Sequence, residues 1–122
     1  MSEIQRFEEI NAWKKARGLV RDIYEVSSSG DFADDWSLKD QIRRAAISVM
    51  SNIAEGYGRD SDKEFSRFLN IALGSVTEVK SQLYVARDLG YLEDNEFKTL
   101  YKQAEEVAKL THGFREYLKE QE

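Results

Sequence analysis

Apolar residues recur along this chain at steps of three and four, the spacing that gathers side chains on one face of an α-helix, and the pattern predicts four helices. The first spans about residues 8–27, with Ile10, Trp13, Ala16, Val20, Ile23 and Tyr24 on its apolar face, and Ser28, Ser29 and Gly30 end it. The segment from Asp31 to Trp36 reads as a loop whose Phe32 and Trp36 are expected to fold back over the end of the helices. The second helix covers about 38–57. Ser37 and Asp40 are expected to cap its start, and Gly58 sits where a left-handed residue would close it. Its buried stripe is Ile42, Ala45, Ala46, Val49, Ile53 and Tyr57.

A third helix, about 62–89, opens with the capping pair Ser61 and Glu64 and closes at Gly90. Phe65, Phe68, Ala72, Val76, Val79, Leu83 and Ala86 form its stripe. The fourth, about 95–120, follows an expected cap at Asp94 and carries Phe97, Leu100, Ala104, Val107, Thr111, Phe114 and Leu118 in a three-four alternation typical of coiled-coil-like packing. Four such helices with short connections and no strand-like alternation predict an all-α fold, an antiparallel up-down-up-down four-helix bundle in one domain over residues 1–122.

The third helix holds more apolar residues than its stripe requires: Leu69, Ile71, Leu73, Tyr84 and Val85. The second adds Ile47 and Met50. Such a surplus predicts that part of the surface meets another copy of the chain.

Composition narrows the chemistry. Among 122 residues there is no cysteine and no proline, and His112 is the single histidine. Disulfides, zinc fingers, iron–sulfur ligation and thiol nucleophiles are thereby excluded, and no metal or other cofactor is expected. A carboxylate-bridged di-iron bundle needs two Glu-x-x-His motifs, whereas Lys109 stands three residues before His112. His112 itself reads as a boundary or surface residue. With 18 basic and 23 acidic residues the net charge is −5, which weighs against general attraction to polyanions. No apolar run approaches the ~18 residues of a membrane span and no leader pattern opens the chain, so a cytoplasmic protein without a membrane partner is expected.

Two sets of polar residues remain as candidates. Lys14, Arg17 and Arg21 share one helical face with Lys15 beside them, and Arg43, Arg44 and Arg59 add cations on the second helix and just past its end; such a stripe can contact phosphates. Glu55 and Glu78 lie near apolar stripes, and if buried they need partners, for which Arg43, Arg44 and Arg59 are available. A structural ion-pair role for them outranks acid–base catalysis.

The run Asp40-Gln41-Ile42-Arg43-Arg44-Ala45-Ala46, continued through Asn52-Ile53-Ala54-Glu55-Gly56-Tyr57-Gly58-Arg59, closely resembles the signature of bacterial proteins encoded in intervening sequences of large-subunit ribosomal RNA genes. The likeness extends through Glu64-Phe65-Ser66-Arg67-Phe68-Leu69, Gly74-Ser75, Glu78, Gln82-Leu83 and Leu89-Gly90-Tyr91-Leu92, and back to Trp13, Ala16 and Tyr24. The resemblance implies an antiparallel four-helix bundle assembling into a ring-like homopentamer, in a family with no known enzyme. A related branch is similar to the accessory variability determinant of diversity-generating retroelements, a basic pentameric bundle that binds nucleic acid and a reverse transcriptase; this chain is acidic where that branch is basic. Within the signature, Ala45, Ala46 and Ala54 permit close helix approach, Gly74 leaves room for another helix to cross, and Asn52, Glu55, Glu78 and Gln82 are expected to form a polar network. The expectation is a non-enzymatic, self-associating scaffold or adaptor for RNA or a nucleoprotein partner. The alternative is direct RNA binding through basic residues repeated around the oligomer.

Overall fold

The computed structural model describes residues 4–121, and among them all regular structure is helical. A 3-10 turn at Phe7–Glu9 leads into α1 (Asn11–Val26), the short α2 (Gly30–Asp34), α3 (Trp36–Tyr57), α4 (Asp62–Asp88) and α5 (Asp94–Gln121). The four long helices are those the periodicity predicts, each end within three residues of expectation. The fifth, α2, lies where the sequence predicts a loop.

Local chemistry explains most boundaries and corrects several. Gly30 takes φ +64°, a left-handed conformation that turns the chain into α2. Asp35, rather than Ser37 with Asp40, caps α3: its carboxylate accepts the Leu38 N–H at 3.1 Å. Gly58 is right-handed at φ −77°, not left-handed, because its N–H already reaches the carbonyls of Ala54 and Glu55. Ser61 does cap α4, its hydroxyl accepting the Glu64 N–H at 3.1 Å. At the other end of α4, Gly90 is left-handed at φ +80°; the Tyr91 N–H bonds Ala86 O and the Gly90 N–H bonds Arg87 O, which occupies two otherwise unpaired carbonyls. The start of α5 is set by Glu93, one residue before the expected Asp94. Glu96 reaches back to accept the Glu93 N–H at 3.0 Å.

The apolar stripes converge. α3 packs along α4, α4 along α5, and α1 lies against both α3 and α5. Ala16, Leu19 and Ile23 from α1 meet Ile42, Ala46, Val49 and Ile53 from α3, Leu69, Ala72, Val79 and Leu83 from α4, and Ala104, Val107 and Leu118 from α5 in one core. Gly56 is part of this packing: a Cβ there would lie 2.8 Å from Phe65 Cδ1 and Phe68 Cβ, so the close approach of α3 and α4 depends on its missing side chain. Polar pairs bridge the same helices. Ser48 meets Ser75 at 2.8 Å, Gln82 donates to Gln41 at 3.5 Å, Arg115 to Asn70 at 2.6 Å, and Gln103 to Asp22 at 2.7 Å.

Three packing expectations change. Leu69 is fully buried, so it belongs to the core and not to the surplus. Tyr24 is exposed because its ring lies on the outer side of α1 under the Arg43 guanidinium, 4.2 Å away. Nothing approaches a Cβ built at Gly74, so no helix of this chain crosses there. Among the described residues no helix is long and apolar enough to cross a membrane.

Candidate functional site

The cations of α1 do gather. Lys14, Lys15, Arg17, Gly18 and Arg21 line a concavity of about 650 Å³ together with Gln103 of α5. The glycine leaves the middle of that wall low. Lys15 is paired with Glu106 at 3.0 Å and Arg21 with its neighbour Asp22 at 3.2 Å, while Arg17 lies 5.7 Å over the ring of Trp13. Both ion pairs are open to solvent, and pairs of this kind are weak, about 0–1 kcal/mol, so a phosphate can displace the carboxylate at little cost.

Arg43 does different work from its neighbours. Its guanidinium donates to Ser27 Oγ at 2.8 Å, Tyr24 O at 3.3 Å and Ser28 Oγ at 3.2 Å, closing the C-terminal end of α1 onto α3. Arg44 pairs with Asp40 at 2.9 Å one turn back, and Arg59 pairs with Glu55 at 2.8 Å while stacking 4.7 Å over Phe68. Arg59 therefore lies on a different part of the molecule from the α1 concavity.

The expected polar network does not form as one unit. Glu55 and Glu78 are exposed rather than buried, so neither carries the desolvation cost that would demand a dedicated partner. Asn52 donates to Ser48 O at 2.8 Å and to Ser48 Oγ at 3.0 Å, which links it to Ser75. Gln82 donates to Glu78 at 3.3 Å and to Gln41. Of the four residues only Glu78 and Gln82 share a hydrogen bond among the described residues. His112 is exposed beside Arg115, its Nδ1 3.1 Å from Nη2. No group of three His, Asp or Glu among the described residues is placed to hold a metal ion.

Trp36 corrects the sequence reading most. The sequence suggests that it shields the end of the helices, yet it is 70% exposed. With Tyr24, Lys39, Asp40, Arg43, Arg44 and Ile47 it lines a second concavity of about 380 Å³. The signal is present in the register: Trp36, Asp40, Arg43 and Ile47 step by four, three and four, so they fall within about 60° of one another on the helix, opposite the buried stripe. Extending the helical period of α3 back by two residues would have found it.

A second aromatic surface joins α4 and α5. Tyr84 packs 4.9 Å from Phe97 and 5.5 Å from Tyr101, Arg87 stacks over both Tyr84 and Phe97, and Lys80 lies 5.0 Å over Tyr101. The hydrogen bond between the two tyrosines raises the Tyr84 pKa above its ordinary value. These rings are satisfied within the chain.

The chain matches the family of the 23S rRNA-intervening sequence protein over residues 8–113. No curated protein matches it. Among solved structures it is similar to a protein of unknown function from the S23 ribosomal protein family of Bacteroides thetaiotaomicron, with a TM-score of 0.78 and 21% identity over 85% of this chain and 97% of that one. Likeness at that identity speaks for a shared fold. The family match covers all of α1 to α4 and most of α5, and on that extent the protein belongs to the 23S rRNA-intervening sequence protein family.

Proposed function

We propose that this protein is a non-enzymatic, self-associating scaffold or adaptor, a single-domain antiparallel four-helix bundle acting in the cytoplasm. The bundle reading is supported by partner residues whose numbers fall along one helix as they rise along the next: Gln41 with Gln82 and Ser48 with Ser75, Asn70 with Arg115 and Tyr84 with Phe97. The non-enzymatic reading is supported by the exposed, ion-paired or hydrogen-bonded state of Glu55 and Glu78, which leaves neither carboxylate poised against another titratable group in a cleft.

One observation carries self-association. Ile71, Val85 and Leu89 are 42%, 43% and 55% exposed and lie within about 40° of one another on the outer side of α4 and its C-terminal cap. Aligned apolar residues on a polar chain gain free energy when a second copy covers them, and repetition of one such interface around an axis closes a ring. A ring of five is the assembly that the family likeness implies. Light scattering or sedimentation of the intact protein tests this: a mass of several chains is expected, falling to one chain in Ile71→Lys/Val85→Lys with helicity retained. A wild-type monomer would overturn it.

The α1 concavity favours a second reading, direct nucleic-acid binding through Lys14, Lys15, Arg17 and Arg21. Lys14→Glu/Arg17→Glu/Arg21→Glu would then abolish binding, whereas a protein scaffold would be indifferent to the change.

A further inference from the structure

Two features of α1 and α3 stand apart from the self-association surface. Four cations line the α1 concavity, two of them paired at its rim with Glu106 and Asp22, and Lys39, Arg43 and Arg44 line the one beneath Trp36 together with Asp40. Tyr24, which lines the second concavity, is one helical turn beyond Arg21, which lines the first, so the two follow each other along a single exposed stripe of α1. Lys14 to Tyr24 spans roughly 15 Å at the helical rise, and Trp36 continues the line onto α3.

The indole is the unusual member. A tryptophan left 70% exposed forfeits a large burial energy, and this one shares its concavity with Lys39, Arg43 and Arg44 as well as with Tyr24 and Ile47. Cations spaced along a track and an open aromatic face at its end are the two elements that bind an unpaired strand: the first neutralises phosphates, the second offers a surface on which any base can stack. A duplex keeps its bases stacked on one another and cannot use the indole. The carboxylates near Trp36 decide where the backbone runs. Asp35 is committed to capping α3 and to the Tyr91 hydroxyl, and Asp40 to Arg44, while Asp31 and Asp34 stand exposed on α2 and repel phosphate. The phosphates therefore lie on the Arg43 side of the ring, where Tyr24 of α1 adjoins it.

We propose that the α1–α3 face from Lys14 to Trp36 binds single-stranded nucleic acid, its cations following the phosphates and the Trp36 indole stacking on a base. This rests on the nucleic-acid reading of the α1 concavity and adds to it the strandedness of the ligand and the residue that senses it. RNA and DNA share the chemistry.

The test is anisotropy of labelled oligouridylate and oligodeoxyuridylate of about 12 nucleotides, with a duplex of equal length for comparison, over a range of salt concentrations. Both single strands should bind more tightly than the duplex, and the arm with the higher affinity identifies the sugar preferred. Trp36→Ala should weaken single-strand binding roughly 5- to 150-fold at an unchanged salt slope, with Trp36→Tyr retaining most of it. Lys14→Ala/Arg17→Ala should instead flatten the slope by about 0.7 for each phosphate left without its cation. In a Trp13→Phe background, added oligouridylate should quench the remaining indole emission directly.

Quenching absent and affinity unchanged in Trp36→Ala, with the Lys14/Arg17 effect intact, would overturn the stacking proposal and leave the cationic reading standing. No binding of any oligonucleotide at low salt would remove both. A fall in solution mass on Trp36→Ala, with oligonucleotide affinity preserved, would assign the indole to an interface between copies and overturn the proposal.

Discussion

Tyr91 donates its hydroxyl to Asp35 Oδ2 at 2.9 Å, while Oδ1 of the same carboxylate accepts the Leu38 N–H that opens α3. One side chain thus caps a helix and holds the turn between α4 and α5 against it. The Tyr91 ring also stacks 5.5 Å from the buried Phe32, so α2, the start of α3 and that turn form one local unit.

The hydrogen bond to Asp35 raises the Tyr91 pKa, and the neighbouring carboxylates Asp31 and Asp34 push in the same direction. A raised pKa means the folded protein favours the neutral phenol. Its contribution is complete below the ordinary tyrosine value near 10 and is lost as pH rises through the higher folded value. Tyr91→Phe should therefore be less stable than wild type at neutral pH, with the difference shrinking in strongly alkaline solution. Urea unfolding across that range measures it; a difference that stays constant with pH would count against the bond.

Two glycines in the signature should respond in opposite ways to alanine. At Gly56 the new Cβ meets Phe65 and Phe68 in the core, and the overpacking should cost about 1–3 kcal/mol despite the gain in helix propensity. At Gly74 the space is open, so alanine should stabilise the isolated chain by about 0.5–1 kcal/mol. If the solution mass falls in Gly74→Ala while the chain remains folded, that face is covered by a second copy.

Leu69 and Ile71 stand two residues apart on α4 and face opposite environments. Leu69→Ala should cost about 2–5 kcal/mol, because it removes fully buried methyl groups and leaves a cavity. Ile71→Ala should change folding by no more than about 0.5 kcal/mol and act on association instead. Denaturation and mass measured on the same samples separate the two effects.

Arg43→Ala should destabilise the protein by about 1–3 kcal/mol, since three hydrogen bonds across the α1–α3 end disappear together. Lysine should not restore it, because one ammonium cannot reproduce the planar fork that reaches Ser27, Ser28 and Tyr24 at once. Chemical denaturation of the three proteins checks this. For the same reason Arg43 is a poor probe of ligand binding: its removal disturbs the scaffold first.

Periodicity alone determined that α1, α3, α4 and α5 exist and most of the buried stripe of α3, α4 and α5, though not Leu69, because a helix must hide an apolar face and that face has a 3.6-residue period. It also located the closures at Ser61 and Gly90, where the cap is a local interaction between residues close in the chain. What lay outside its reach depended on neighbours distant in sequence. Asp35 and not Ser37 caps α3 partly because Tyr91 holds that carboxylate in place, 56 residues away. Glu55 and Glu78 fall beside apolar stripes on paper, yet once the helices pack both are exposed, Glu55 paired with Arg59 and Glu78 bonded to Gln82. Trp36 and Tyr24 read as apolar residues to be buried, and the tertiary structure turned both outward beside Arg43. A sequence specifies which side of a helix is apolar; only the packing of the helices decides how far around that side the core extends.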